Sequence, residues 1–227
     1  MGETIEFASN GATVEGYLAS PENGGGPAVV IIQEWWGLVP HIEEVCDRFA
    51  GEGFFALAPD LYHGEKVSNQ EPDEAGKLMM GMRLDEARRD MSGAVDALID
   101  RSGAERVGVV GFCMGGALAL LLAVDRPDSV AACVPFYGAI PWPDVDPDWS
   151  ALAAPVQIHV GEKDDWAKGF ATELVPTLSE LGKEVERNDY EGADHAFFND
   201  TRPGVYDEAA AALAFERTLA FLHANLD

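Results

Sequence analysis

The stretch Arg106-Val107-Gly108-Val109-Val110-Gly111-Phe112-Cys113-Met114-Gly115-Gly116-Ala117-Leu118-Ala119-Leu120 decides the fold. Its opening is apolar and β-branched, which predicts a strand over 106–110 buried on both faces. Its end begins an almost wholly apolar helix over 115–124. Between them lies Gly-x-Cys-x-Gly, a strand–turn–helix elbow that presents a nucleophile, with cysteine where serine is usual. The spacing has a steric cause, since a Cβ at either flanking glycine would strike the neighbouring strand or helix. The turn also sets the Cys113 sulfur at a helix N-terminus, where free N–H groups and the macrodipole favour a thiolate.

Strands and helices alternate outward from this elbow. Residues 3–8 and 12–19 flank Asn10-Gly11, a hairpin signal, and are expected as an antiparallel pair at a sheet edge. Ala28-Val29-Val30-Ile31-Ile32 is a second doubly buried strand. A helix over 41–52, a strand over 54–58, a polar stretch over 59–73 and helices over 73–82 and 85–101 lead to the elbow. Beyond it come strands at 130–136, 156–160 and 184–190, a helix at 169–182 between the last two, and a closing helix at 205–225. Such alternation requires a mostly parallel sheet with helices on both faces, here in one domain spanning 1–227. Ligands in such sheets bind at the carboxyl ends of the strands. The polar stretch 59–73, with Gly64 and Pro72, is the candidate for a mobile flap. The glycines at 24–26 precede a strand and lack the Gly-Lys-Ser/Thr ending, so they form a flexible turn and not a phosphate cradle. No strand is followed by Gly-x-Gly-x-x-Gly, which excludes a dinucleotide-binding protein.

A cysteine nucleophile needs a base, and five histidines are available. His195 stands in Gly192-Ala193-Asp194-His195-Ala196-Phe197, a turn between the last strand and the closing helix. His159 lies inside a strand and is expected as an interior histidine; His41 begins a helix, His63 sits in the 59–73 loop and His223 on the last helix. Asp164, in Gly161-Glu162-Lys163-Asp164-Asp165 after a strand, is the acid that would fix the His195 tautomer, with Asp165 as its rival. The order nucleophile, acid, histidine is that of the α/β-hydrolases. Glu34, in Gln33-Glu34-Trp35-Trp36-Gly37, falls where a strand end meets the cleft, and its charge opposes a thiolate unless it moves or shares a proton. The amides of Trp35 and Met114 are the candidates for an oxyanion hole. Cys46 and Cys133 fall on apolar positions and read as core.

These segments, with Ala58-Pro59-Asp60-Leu61-Tyr62 and Phe136-Tyr137-Gly138, resemble the dienelactone hydrolase (carboxymethylenebutenolidase) family over nearly the whole chain. The resemblance implies an α/β-hydrolase core with Cys113, His195 and Asp164 as catalytic residues and no cofactor or metal. It implies that Glu34 pairs with the resting thiol and releases it when substrate binds, and that Tyr137 lines the pocket; Trp35, Trp36, Tyr137 and Trp142 would offer a larger substrate an aromatic wall, with Phe197 a further substrate-binding candidate. The chain departs from the family at two arginines that hold the dienelactone carboxylate. The position four residues after the catalytic histidine is Asn199, and no arginine occurs between Arg48 and Arg83. Arg83 and Arg202 are the candidates to replace them, and a neutral or larger lactone or ester stands beside dienelactone as substrate. A broad carboxylesterase or thioesterase and a catalytically silent binding scaffold are the alternatives.

The bulk numbers set the surroundings. Forty acids against fifteen bases give a net charge of −25, which repels nucleic acid and anionic lipid and is compatible with either simple solubility or a high-salt habitat. No run approaches the roughly 20 apolar residues of a membrane span, and the acidic N-terminus does not read as a signal peptide. Three scattered cysteines make neither a disulfide framework nor a zinc site, so a reduced, cytoplasmic protein, a monomer or weak homodimer, is expected.

Overall fold

The computed structural model describes residues 2–9 and 11–226; Asn10 of the expected hairpin turn lies outside the described residues. The elements run β1 (Glu3–Ser9), β2 (Ala12–Ala19), β3 (Ala28–Ile32), α1 (Pro40–Gly51), β4 (Phe55–Pro59), α2 (Pro72–Gly81), α3 (Leu84–Ser102) and β5 (Val107–Phe112). They continue with α4 (Met114–Asp125), β6 (Val130–Phe136), β7 (Val156–Gly161), α5 (Asp165–Glu180), β8 (Val185–Tyr190) and α6 (Glu208–Leu226). One sheet carries all the strands in the order β1-β2-β4-β3-β5-β6-β7-β8. β1 pairs antiparallel with β2 at the edge, β2 antiparallel with β4, and every pairing from β4 to β8 is parallel. The expected α/β-hydrolase architecture is therefore present.

Alternation along β5 sorts the helices. A Cβ on Gly108 would press on Leu222 of α6, whereas one on Gly111 would strike the carbonyl of Gly115 in α4. Residues 108 and 111 point to opposite faces of a strand, so α6 and α4 lie on opposite sides of the sheet. On the α6 side, Phe49 of α1 meets Phe215 edge-on with ring centroids 5.1 Å apart. On the other, α4 is buried from Met114 to Ala123. A helix enclosed all round needs no polar face, which explains its unbroken apolar sequence.

The connection order creates the crevice. From β3 the chain steps to β4 on one side and later returns to β5 on the other, so the loops leaving β3 and β5 diverge at adjacent strand ends. Such a switch point is where parallel sheets bind ligands.

Two helix starts differ from the periodic signal, for the same reason. α5 begins at Asp165 and not 169 because the Asp164 carboxylate accepts the Ala167 N–H at 3.0 Å as an N-cap. α6 begins at Glu208 and not 205, with Asp207 accepting the Ala210 N–H at 3.0 Å. The β6–β7 crossover holds only a 3₁₀ turn at Trp149–Ala151. Among the described residues no helix is long and apolar enough to cross a membrane.

Candidate active site

Cys113 occupies the turn between β5 and α4 at φ 55°, ψ −116°. A non-glycine residue held there costs about 1–3 kcal/mol, so its surroundings must enforce it. Gly111 packs on the Gly115 carbonyl, Gly115 on the carbonyls of Ile32 and Gln33, and a Cβ on Gly116 would meet the Phe136 oxygen and Gly138 Cα at 2.9 Å. The Cys113 N–H donates to the Phe136 carbonyl at 3.0 Å. The contact of Gly115 with β3 also brings the start of α4 against the loop carrying Glu34 and Trp35.

The loops after β7 and β8 come together through Gly161, where a Cβ would lie 2.6 Å from the Asp194 carbonyl, and through Lys163 N–H, which donates to Ala193 at 3.0 Å. Asp164 thereby reaches His195, Oδ2 to Nδ1 at 2.5 Å, while its Oδ1 caps α5. With both oxygens engaged, the carboxylate has one orientation. Asp165, its rival, is 92% exposed and pairs with Lys168 at 2.9 Å. Cys113 lies beside the His195 ring, close enough for its sulfur to act on the ring's pKa. Burial is the strongest single influence on the ring and favours its neutral form, but the Asp164 hydrogen bond and the influence of Asp164 and Cys113 together outweigh it, raising His195 to about 10. An imidazolium thus stands between a carboxylate and a sulfur.

Glu34 is 1% exposed. Its Oε2 accepts from the Asn199 amide at 2.6 Å and its Oε1 from the Tyr137 hydroxyl at 3.5 Å. The resemblance assigns Glu34 to the resting thiol, yet here the carboxylate has these two partners while Cys113 faces His195. Asn199 is held in turn, since its Oδ1 accepts from the Thr201 hydroxyl at 2.6 Å and N–H at 3.1 Å. Tyr137 is completely buried, at φ 39°, and its ring centroid stands 5.1 Å from that of His195. Burial pushes its hydroxyl pKa up, with the charges of Glu34 and Cys113 adding to the effect.

The remaining candidates separate by location. Trp36 is 2% exposed, edge-on to Trp35 with centroids 5.1 Å apart. Arg202 lies over the Trp36 ring at 5.6 Å. Phe197 is wholly buried between Tyr137 and Tyr190, behind the site. Arg83 lies on the surface, bridged to Glu86 at 3.0 Å and to Asp85 at 3.6 Å. Trp142 is half-buried at the β6–β7 crossover. The 59–73 stretch lies across this region, with Val67 N–H on the Trp36 carbonyl at 2.9 Å and the Asn69 amide on Thr201.

Two side chains beside the site were given no role by the sequence. The Tyr62 hydroxyl donates to the Met114 sulfur at 3.2 Å, and its pKa is pushed up by burial and by the nearby Cys113. Trp166, 49% exposed at the first turn of α5, has its ring 6.2 Å from His195. An exposed tryptophan two residues after the acid is the signal that could have found it. The other histidines are accounted for elsewhere: His41 with Asp200 at 3.1 Å, His63 with Asp90 at 3.0 Å, His223 against Phe54, and His159 in an internal network. Cys46 and Cys133 are wholly buried in the core, as expected.

A model of the dienelactone hydrolase family matches residues 14–226. Protein usf of Aquifex pyrophilus is 40% identical over 230 residues, 97% of each chain. Carboxymethylenebutenolidase 1 of Cupriavidus pinatubonensis is 30% identical over 237 residues, covering 98% of this chain and 97% of its own. The crystal structure of a dienelactone hydrolase from Anabaena variabilis covers 100% of this chain at 20% identity, with a TM-score of 0.73, a likeness of fold. The chain belongs to the dienelactone hydrolase family.

Proposed function

We propose that this protein hydrolyses lactones or carboxylic esters through a Cys113–His195–Asp164 triad. Family membership supports a hydrolase of ester or lactone bonds. The observation that carries the finer reading is the His195 ring held between the Asp164 carboxylate at 2.5 Å and the Cys113 sulfur, with its pKa raised to about 10. In this reaction the Cys113 thiolate attacks the carbonyl carbon, and the electron pair of the C=O bond moves to oxygen. The amides of Trp35 and Met114 hold that oxyanion; one such donor is typically worth about 3 kcal/mol of transition-state stabilisation. As the tetrahedral species collapses, the C–O bond breaks and the His195 imidazolium gives its proton to the leaving oxygen. Now neutral, His195 takes a proton from water, whose oxygen attacks the thioester. The C–S bond then breaks, the sulfur leaving beside the reprotonated His195, and the acid departs. Asp164 keeps the ring oriented throughout.

The reaction calls on no cofactor or metal. Asn199 and Tyr137 hold the Glu34 carboxylate while Cys113 engages His195. A cytoplasmic monomer or weak homodimer is the setting we favour, in line with three free, buried cysteines. The test is Cys113→Ala on a panel of aryl esters and lactones, with circular dichroism as the check on folding. Turnover should vanish while the spectrum is retained, and the native enzyme should show a thioester adduct by mass spectrometry. Undiminished hydrolysis by the folded variant would overturn the nucleophile assignment.

A further inference from the structure

The Trp35 ring, next in sequence to the buried Glu34, lines a groove of about 710 Å³ against α2. Pro72, Gly76, Met79 and Met80 make the apolar part of that groove. Lys77 and Glu74 at its edge are paired to each other at 2.7 Å, and Asp73 beside them adds a carboxylate, so the groove offers no free cation. Gly76 supplies the room: a Cβ there would already stand 3.9 Å from the Trp35 ring, and any longer side chain would grow into the groove. Met80 is 56% exposed on a chain with forty acids. Leaving such a side chain in water forgoes roughly 25 cal/mol per Å² of burial, and methionine adapts readily to an apolar guest.

The polar side of the site points the same way. Asn199, at the position where the family resemblance expects an arginine, spends its amide on Glu34 and Thr201. Arg83 is bridged to Glu86 and Asp85, and Arg202 lies over Trp36. Arg202 does not line the groove and Lys77 is paired, so a carboxylate on an arm lying in the groove would find no dedicated cation there, within a protein of net charge −25.

We infer that the groove between Trp35 and α2 binds the acyl arm of the substrate, and that this arm is uncharged, apolar and extended. The inference rests on the hydrolase reading above. In the tetrahedral species the oxyanion takes the Trp35 amide, and the leaving oxygen must face the proton of His195, beside Trp166. The acyl substituent is left to run along the Trp35 side chain into the groove.

The test measures kcat/KM for p-nitrophenyl acetate, butyrate and octanoate and for an octanoate ending in a carboxylate. Wild-type enzyme should prefer octanoate over acetate by about tenfold or more, consistent with the gain from burying methylenes, and should discriminate against the carboxylate-bearing ester. Gly76→Phe, which fills the groove, should cut the octanoate-to-acetate ratio at least about tenfold. Met80→Asp, at an exposed position where misfolding is no concern, should lower it in the same direction. Cys113-dependent hydrolysis with no chain-length preference, or with a ratio that neither variant moves, overturns this inference and leaves the hydrolase reading standing. Hydrolysis that survives Cys113→Ala, or no hydrolysis of any ester by folded wild type, overturns both.

Discussion

His195 and His159 occupy the same half of the sheet, and the molecule treats them in opposite ways. His195 follows β8 and meets a carboxylate and a sulfur, which carry its pKa to about 10 against the pull of burial. His159, inside β7, meets neutral groups: the Tyr190 hydroxyl at 2.7 Å, the Gln157 side-chain oxygen at 3.0 Å and the Thr218 hydroxyl at 3.2 Å. Burial chiefly, with the charge of Arg217 behind it, pushes this ring down to about 3. Depth alone does not decide the protonation of a histidine; the charge of its partners does. The two regions also touch. The His159 carbonyl accepts the Tyr137 N–H at 2.7 Å, and the Tyr137 ring stands 5.1 Å from His195. A buried histidine held neutral thus supports, through Tyr137, the wall that stands beside the other ring.

The sharpest way to break this comparison is to remove each ring in turn. His195→Ala should lower kcat/KM by about 10³-fold, within the range of general acid–base catalysis, with the fold intact by circular dichroism. His159→Gln should leave kcat/KM within about threefold, since its ring touches no proposed reacting atom. Equal losses in the two variants would erase the distinction. A smaller effect should come from Asp164→Asn, which keeps an acceptor for the Ala167 N–H and so preserves the α5 cap. Its rate should fall about 10²-fold. By NMR titration, the His195 pKa should move from about 10 toward the unperturbed 6.5. An unmoved titration would mean that Asp164 is not what holds the proton on the ring.

The elbow and the alternation around it were legible because local sterics dictate both. Gly111, Gly115 and Gly116 are glycines since backbone atoms occupy the places their Cβ atoms would take. The hairpin, the doubly buried strands and the enclosed α4 follow from periodicity, and Asp164 and His195 from their places just after strands. What sequence did not disclose are the contacts between loops. Asn199 grips Glu34 across 165 positions of chain, and Trp166 approaches His195 only because Gly161 packs under Asp194. Arg83 looked available as a cation, but in the folded chain it is already bridged to Asp85 and Glu86 at the start of its own helix. The early start of α5 escaped the periodic signal because the same aspartate that orients His195 also caps the helix.

The smallest expected effect is in the pH dependence of stability, and there the two histidines should pull in opposite directions. His159 titrates near 6.5 when unfolded and at about 3 when folded, so the unfolded chain binds more protons in between. Its contribution to stability is therefore full above 6.5 and lost as pH falls toward 3. For His195 the folded value of about 10 lies above the unfolded 6.5, so its contribution is full below 6.5 and lost as pH rises through 10. Urea titrations across pH should show both limbs in the wild type. Between pH 5 and 6.5, above the range where ordinary carboxylates titrate, His159→Gln should remove an acid-side loss of roughly 1–2 kcal/mol and leave the alkaline limb in place. Glutamine can still hydrogen-bond Tyr190 or Gln157, so what disappears is the titration and not every contact of the network. His195→Ala should flatten the alkaline limb alone. If the acid limb persists unchanged in His159→Gln, the buried network is not what sets it, and the opposition between the two rings fails.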